Sequence, residues 1–311
     1  MVVALRVGGV GLTVRHGLSL AHRAAGPADP AAARTVQALI DLHTHSSVSD
    51  GSDLPARIPE LAAAAGCSAV ALTDHDRLDG VAPAAARAAE LGVRLVPGCE
   101  ISCRWDRGNL HVLVYFVEPG DGPFQEALVE LQQAREERNR AMAAALGLDY
   151  EEMLELAGGS GAGRPHAAAL LVRQGRATSI DDAFRRWLVR GRPGDVPRRA
   201  VDPVGAIALA RASGGVAVLA HPLSTRLAPD ALESAVAELA EAGLAGVEAI
   251  YGRYDPGERD ELAAMAQRLG LVAAGGSDHH GTYKPDLAVG VGRGDLHVPD
   301  SALAELEDRR P

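Results

Sequence analysis

Aromatic residues are scarce in this chain of 311 residues, because phenylalanine, tryptophan and tyrosine together make up only 3% of it. Hydrophobic residues nevertheless account for 47% of the chain, which is enough for a sizeable core. That core must be built from alanine, leucine, valine and glycine. Small side chains favour close packing of helices on a sheet over an aromatic-rich sandwich, so the composition predicts an α/β fold.

Three further shortages exclude classes of protein. Only three cysteines occur, at spacings that fit no disulfide framework, so we expect reduced and mostly buried thiols. No run of 18 apolar residues is present, so no membrane-spanning helix is expected. Basic residues number 31 against 41 acidic ones, and the net charge of -10 argues against a duplex DNA-binding surface. The lack of a targeting signal predicts a cytoplasmic location.

The apolar pattern divides the chain into four parts. Residues 1–38 carry scattered arginines and a linker-like end, and we expect a poorly packed extension. Strand-like and helix-like segments alternate over 39–118 and again over 201–295, which predicts a parallel sheet or barrel with helices outside. Charged helical segments, including one predicted over 150–156, interrupt this alternation over 119–200, which predicts an inserted helical cap. The alternation resumes with a helix predicted over 203–212. Residues 296–311 form a polar tail.

The segment IDLHTHSSVSD, residues 40–50, ends the first predicted strand. Alternate residues of a strand share a face, so His43 and His45 project together. Burying two imidazoles is costly unless something binds them, and neutral imidazole is a good ligand for first-row metals. Asp50 could return a carboxylate to the same place. Since an isolated H-x-H fits a solvated pair about equally well, the remaining strands decide.

Ligand-type side chains recur along or after the other predicted strands, and Glu100, for example, follows the strand predicted over 93–96. In parallel α/β architectures the carboxyl ends of strands converge on one face, which carries the active site. Nine donors are expected to meet there: His43, His45, Asp50, His75, Glu100, His111, His221, Asp278 and His280. Nine exceed the needs of one four-coordinate ion and indicate two or three divalent ions sharing a carboxylate. Mixed nitrogen and oxygen donors favour manganese, zinc or iron over magnesium, with manganese first.

This ordered series of motifs resembles the PHP (polymerase and histidinol phosphatase) family of phosphoesterases. The series reads H-x-H, T-D-H, G-x-E, a later histidine, H-P and S-D-x-H, from about residue 40 to 290. The resemblance implies a distorted (β/α)7 TIM-like barrel with a trinuclear metal site. It implies three ion sites: one formed by His43, His45, Glu100 and Asp278, one by Glu100, His111 and His221, and one by Asp50, His75 and His280.

The cap contains the run Gly163-Arg164-Pro165-His166, and an α-helical insertion with this motif is similar to one branch of small bacterial PHP enzymes. That branch includes 3',5'-nucleoside bisphosphate phosphatases and 5'-to-3' exoribonucleases. The resemblance implies that Arg164 binds substrate phosphate through its planar fork and that His166 assists. Ser102, just past the glutamate of G-x-E, is a further candidate to donate a hydrogen bond to the substrate phosphate.

Residues beside the ligands are expected to support them. Asp74 and Asp76 flank His75 and are expected to orient imidazoles. In an extended segment His279 points away from its neighbour His280, so it is left out of the ligand set. Lys284 and Tyr251 lie near strand ends and could reach substrate.

These residues together predict a hydrolase that acts on phosphoric esters. Clustered divalent ions generate hydroxide at neutral pH and clamp phosphoryl oxygens. Glu100 would bridge the ions, and the ions and Arg164 would neutralise developing charge. The leaving oxygen would depart towards an ion or towards a protonated histidine such as His221 or His280.

The favoured substrate is a small nucleotide, a 3',5'-nucleoside bisphosphate hydrolysed to the 5'-monophosphate and phosphate. Acidity argues mildly for this small substrate over RNA, because single-strand binders usually carry a positive groove. The alternatives are a 5'-to-3' exoribonuclease on short single-stranded RNA, a histidinol phosphatase, which the cap motif disfavours, and a non-catalytic metal-binding module, which the complete ligand set disfavours.

Overall fold

The first half of the barrel alternates strands and helices, as the sequence predicts. The computed structural model describes residues 39–105, 107–159, 161–197 and 199–311, so the predicted extension 1–38 lies outside the described residues. The elements are β1 (Leu39–Asp41), α1 (Arg57–Ala65), β2 (Cys67–Leu72), α2 (Val81–Leu91), β3 (Arg94–Trp105) and β4 (Gly108–Tyr115). Helices α1 and α2 end at Gly66 and Gly92, whose φ values of 80° and 68° lie in the left-handed region that favours glycine.

Between β4 and residue 202, all regular elements of the described residues are helices. They are α3 (Pro123–Leu146), α4 (Tyr150–Leu156), α5 (Arg164–Arg173), α6 (Ile180–Ala183) and a π-helical turn (Phe184–Leu188). From Met142 onwards their buried residues form a separate hydrophobic cluster that includes Met153 and Leu170, whereas Phe124 and Leu128 at the start of α3 belong to a barrel cluster. We use the name cap for residues 119–200, and this division of the chain remains our interpretation.

The second half returns to alternating strands and helices. Its elements are α7 (Pro203–Ala212), β5 (Val216–Leu219), α8 (Pro229–Glu241), β6 (Gly246–Tyr251), α9 (Pro256–Arg268), β7 (Val272–Gly276), β8 (Val298–Pro299) and α10 (Ser301–Glu307). Side-chain caps fix two of the helix starts: Asp202 accepts from the Gly205 amide, and Asp255 forms a capping box with Glu258.

The eight strands form one sheet in the order β7-β6-β5-β4-β3-β2-β1-β8. The sheet curls back on itself, because Leu42 N donates to Gly275 O at 3.1 Å and Asp278 N donates to His43 O at 2.8 Å. This nearly closed barrel confirms the predicted TIM-like fold class. The sheet is not wholly parallel, however, because β4 runs antiparallel to both β3 and β5, and β8 runs antiparallel to β1.

Strand β3 is much longer than the predicted strand over 93–96. Residues Gly98 to Trp105 pair with Tyr115 to Gly108, so the two strands form a hairpin whose outer half extends beyond the barrel neighbours. Glu100 and His111 therefore lie within strands and not after them, which corrects the predicted placement of Glu100 at a strand end.

The barrel core is built from aliphatic residues, as the composition predicts. On β4, Leu113 and Tyr115 belong to one buried cluster and Val112 and Val114 to another, because successive side chains point to opposite faces. All three cysteines are buried and free, which confirms their prediction. None of the described helices is long and apolar enough to cross a membrane.

Candidate metal centre

All nine predicted ligands lie together at one end of the barrel. Glu100 is at the centre, and it is 1% exposed. Its Oε1 lies 2.7 Å from His111 Nδ1 and 2.9 Å from His221 Nε2. Its Oε2 lies 3.1 Å from His45 Nε2 and 3.2 Å from His75 Nδ1. One carboxylate thus divides its two oxygens between two sets of imidazoles, which is the geometry that a bridging ligand requires.

Asp50 gathers a second group of donors on the loop after β1. Its Oδ1 lies 3.3 Å from His280 Nε2 and 3.7 Å from His45 Nδ1, and its Oδ2 lies 3.7 Å from His75 Nε2. Burial would raise the pKa of Asp50, but the facing imidazoles hold it well below its usual value. The carboxylate therefore stays ionised and available to a cation.

Asp278 presents only one of its oxygens to the cluster. Tyr251 donates to Oδ2 at 2.7 Å, and the Lys284 ammonium also binds Oδ2. Oδ1 remains directed at His43 and His45, 3.5 Å from Nε2 of each ring. Lys284 and Tyr251 were predicted to reach the substrate. In the described contacts, both side chains instead bind this carboxylate.

The donors are positioned to hold divalent cations. Three overlapping groups have ligand atoms within 4.8 Å of one another: His45, Asp50, His75 and His280; His43, His45 and Asp278; and His75, Glu100 and His111. Two observations show that the donor set suits cations. His43 Nε2 and His45 Nε2 face each other at 3.0 Å, and buried His75 Nδ1 makes no hydrogen bond with any described residue. Because His45 and His75 each belong to two groups, the assignment of ligands to individual ions remains a prediction.

Electrostatics separates the imidazoles into two kinds. Burial lowers the pKa of His75, His111 and His280, so these rings are neutral and can offer a lone pair. Burial also opposes protonation of His43 and His221, but nearby carboxylates outweigh it and raise the pKa of both. Among the carboxylates, burial would raise the pKa of Glu100, yet the surrounding imidazoles hold it well below its usual value.

Glu248 is a functional candidate that the sequence analysis missed. It is fully buried on β6, where its Oε1 lies 2.8 Å from His43 Nδ1 and its Oε2 accepts from the His221 amide at 2.6 Å. The first contact leaves His43 Nε2 facing the cluster. The second fixes the backbone of His221, whose φ of 26° is unusual for a non-glycine residue. A glutamate inside the apolar strand GVEAIY was the signal that could have identified it.

Two predicted supporting residues contact other groups than expected. Asp74 accepts from Ser46 N at 2.8 Å and from Ser49 Oγ at 2.6 Å, so it orders the loop after β1. Asp76 accepts from Arg135 at 2.6 Å and from Ser102 N at 3.1 Å, which ties α3 to the barrel. Asp74 reaches an imidazole through Ser49, whose Oγ lies 3.4 Å from His45 Nδ1, so the role of these carboxylates in orienting imidazoles stays a prediction.

His279 lies outside the cluster, as predicted. Its Nε2 contacts Asp53 at 2.9 Å and its Nδ1 contacts Leu287 O at 2.8 Å. The ring therefore joins two loops beside the centre and faces neither Asp50 nor Glu100.

The predicted substrate residues lie on two sides of the cluster. Arg164 and Ser102 both line a cavity of about 470 Å³ whose floor includes Asp50, His75 and His111. Ser102 Oγ accepts from Arg135 at 3.1 Å.

His166 does not line this cavity and is 1% exposed. Its Nδ1 accepts from Gly163 N at 3.0 Å, and burial lowers its pKa to about 4, so the ring is neutral. Its predicted contact with phosphate remains a prediction.

The chain is similar in sequence to a known family and to characterised proteins. The family model described as PHP domain matches residues 41–190. The chain is 33% identical to a 3',5'-nucleoside bisphosphate phosphatase of Chromobacterium violaceum over 255 residues, which cover 78% of this chain and 87% of that protein. It is also 33% identical to the 5'-3' exoribonuclease Rnm of Escherichia coli over 249 residues, which cover 78% of this chain and 85% of the relative.

A solved structure shares the whole fold. The crystal structure of a predicted metal-dependent phosphoesterase from Bifidobacterium adolescentis superposes with a TM-score of 0.78 at 28% identity, over 88% of this chain and 96% of that chain.

Proposed function

We propose that this chain, which belongs to the PHP domain family, is a metal-dependent phosphoesterase that hydrolyses a phosphate monoester of a small nucleotide. The specific reaction is conversion of a 3',5'-nucleoside bisphosphate to the nucleoside 5'-monophosphate and inorganic phosphate. The observation that carries the proposal is the position of Glu100, whose two oxygens lie within 3.2 Å of four imidazoles.

Two or three divalent ions, manganese first, would be held by the nine residues of the cluster. When bound, such ions supply hydroxide at neutral pH and stabilise charge on phosphoryl oxygens. Glu100 would bridge two ion positions, and Asp50 and Asp278 would supply further carboxylate ligands. The chain itself would position the phosphate through Arg164, a half-buried cation on the wall of the cavity.

His221 and His280 are the predicted proton donors to the leaving oxygen. Of the two, His221 is the better candidate, because nearby carboxylates raise its pKa, whereas burial lowers the pKa of His280 and keeps that ring neutral. His221 Nδ1 contacts Ser224 Oγ at 3.0 Å while its Nε2 faces Glu100. His280 Nδ1 contacts the carbonyl of Asp278 at 2.9 Å, which fixes the ring with Nε2 towards Asp50. Each ring thus has one nitrogen held by the protein and one directed into the centre.

A second candidate is 5'-to-3' hydrolysis of short RNA. The cavity supports it, because about 470 Å³ is more than a lone phosphate needs and falls within the roughly 300–1,000 Å³ of typical ligand pockets. The similarity to the Escherichia coli exoribonuclease gives independent support. The same residues would serve both reactions.

Phosphate release from adenosine 3',5'-bisphosphate, measured beside a 5'-phosphorylated oligoribonucleotide and histidinol phosphate, tests the proposal. Each assay is run with manganese, zinc and magnesium in turn and after chelation. We expect manganese-dependent turnover, highest on the bisphosphate. Preference for the oligonucleotide would favour the exoribonuclease, and preference for histidinol phosphate would overturn the nucleotide assignment.

Tight metal binding without hydrolysis of any substrate would indicate a non-catalytic module. The matched control is Glu233→Gln, which changes a half-buried glutamate on α8, away from the cluster, that pairs with Arg268 at 2.7 Å. This variant should retain full activity.

A further inference from the structure

The cavity beside the metal centre is bounded by both the barrel and the cap. Its barrel wall is the outer half of β3, from Ser102 to Trp105, and its cap wall includes Arg164 and residues 194–197. A hydrogen bond from Arg104 N to Val201 O at 2.9 Å ties the outer strand to the end of the cap segment. The outer part of β3 is therefore anchored to the chain that leaves the cap.

Strand geometry gives the direction in which this cavity runs. Glu100, Ser102 and Arg104 alternate along β3 and share one face of the strand. At about 3.3 Å per residue, the Arg104 backbone lies about 13 Å beyond that of Glu100. A ligand whose phosphate lies at the metal centre therefore has Arg104 at the far end of the same face. Trp105 points to the other face of β3 but also lines the cavity, with the Arg107 guanidinium 5.2 Å from the centre of its ring.

The far end carries positive charge that the described protein does not neutralise. Arg104 and Arg190 both line the cavity, and neither forms an ion pair with any described residue. In contrast, Arg135 on the same wall is held by Asp76 at 2.6 Å. Asp195 is the acidic residue of the cap wall that lies nearest to Arg190 in sequence. Its Oδ2 accepts a hydrogen bond from Gly191 N at 2.8 Å.

The location of these arginine side chains is informative because the whole chain is acidic. A net charge of -10 gives no general attraction for phosphates. Five of the residues that line this one cavity are nevertheless arginines, of which Arg135 is paired with Asp76, against two aspartates. The arginines are Arg104, Arg135, Arg138, Arg164 and Arg190, and the aspartates are Asp50 and Asp195. Local positive charge of this kind selects anionic ligands.

We propose that Arg104 and Arg190 form an outer subsite that binds a second phosphate group of the substrate, with Trp105 as the apolar wall for the adjoining nucleoside. The inference rests on the proposed function and deepens it, because it makes the second phosphate a requirement for tight binding. A nucleoside bisphosphate and a short RNA strand both offer that chemistry, the first as its other phosphate and the second as its next phosphodiester.

Steady-state kinetics of the full chain test the subsite. The variants are Arg104→Ala, Arg190→Ala and the double variant, with Arg192→Ala as control because Arg192 is on the same loop but does not line the cavity. A charged hydrogen bond contributes about 1.5–3 kcal/mol, so each subsite variant should raise KM for adenosine 3',5'-bisphosphate about tenfold or more, with kcat little changed.

p-Nitrophenyl phosphate separates the subsite from the chemistry, because it carries a single phosphate. We expect the subsite variants to hydrolyse it like the unmodified chain. Equal losses on both substrates, or a loss in Arg192→Ala as large as in Arg104→Ala, would overturn the subsite. Arg104→Gln, which keeps a polar side chain without charge, distinguishes lost charge from lost folding.

A parallel assay with a 5'-phosphorylated dinucleotide identifies the source of the second phosphate. A KM effect confined to the bisphosphate assigns the subsite to a mononucleotide, and an effect confined to the dinucleotide assigns it to RNA; either supports the subsite. Calorimetric binding keeps the inference testable without turnover. If the unmodified chain binds adenosine 3',5'-bisphosphate no more tightly than adenosine 5'-monophosphate, the subsite is wrong whatever the catalytic activity.

Discussion

Replacing Glu248 with glutamine should weaken metal binding while leaving the barrel folded. Glutamine has nearly the same shape as glutamate, but its amide accepts hydrogen bonds through one oxygen only. Glu248 now serves two partners, His43 Nδ1 at 2.8 Å and the His221 amide at 2.6 Å. If the glutamine oxygen accepts from His221, its NH2 group faces His43 Nδ1 and donates to it. The ring proton then moves to Nε2, the atom that faces the metal centre.

The expected magnitude follows from these two contacts. A hydrogen bond to a charged group contributes about 1.5–3 kcal/mol, and partners that orient metal ligands typically change metal affinity by about 10–100-fold. We therefore expect Glu248→Gln to lose about 10–100-fold in manganese affinity. Glu248→Ala removes both contacts and leaves a buried amide unsatisfied, so it should also lower the free energy of unfolding by about 3–5 kcal/mol.

Competition with a chromogenic chelator measures the affinity, and thermal unfolding with and without manganese measures the coupling of metal binding to stability. The glutamine variant should unfold near the temperature of the unmodified metal-free chain but gain less from added manganese. Glu233→Gln is the matched control on the surface of α8. Unchanged manganese affinity and turnover in Glu248→Gln would refute the orienting role of Glu248.

Three further outcomes are expected. Glu100→Gln should abolish phosphate release because the shared carboxylate loses its charge, and normal turnover with metals still bound would disprove the bridge. Arg164→Ala should raise KM for the phosphorylated substrate with metal content unchanged by atomic emission, whereas loss of metal would place Arg164 in a structural role. Burial lowers the pKa of His166 from 6.5 to about 4, so the neutral ring contributes stability that is complete above pH 6.5 and lost as the pH falls towards 4. In the metal-free chain this loss is about 2 kcal/mol between pH 8 and pH 5, and denaturant unfolding of His166→Gln should show a correspondingly flatter pH dependence.

Local sequence signals predicted several elements closely. The predicted helices over 150–156 and 203–212 have the bounds of α4 and α7, because Asp149 and Asp202 cap their first turns. The prediction for β3 was wrong because Pro97 and Gly98 look like a turn. Gly98 instead permits close approach of β4, since a Cβ there would lie 2.5 Å from Val114 O. Pairing across the hairpin, which sequence periodicity does not show, determines the length of this strand.

The candidate site was predictable where chain direction alone brings residues together. His43, Asp278 and most of the other donors converge because barrel strands deliver their ends to one mouth, whereas Glu100 and His111 reach it from within the β3–β4 hairpin. Glu248 and the partners of Asp74 were not predictable in the same way. Their roles depend on which side chains meet across the barrel, and spacing along one strand carries no information about that.

The contact between Lys284 and Asp278 gives the protein a natural chemical handle. Lys284 is the single lysine of the chain, and its side chain is 26% exposed. Apart from the terminal amine, an acylating reagent would therefore label one position, and that position adjoins a carboxylate of the cluster. The labelling rate would report how firmly Asp278 retains the ammonium, so occupancy of the centre could be followed by mass spectrometry without introducing a probe.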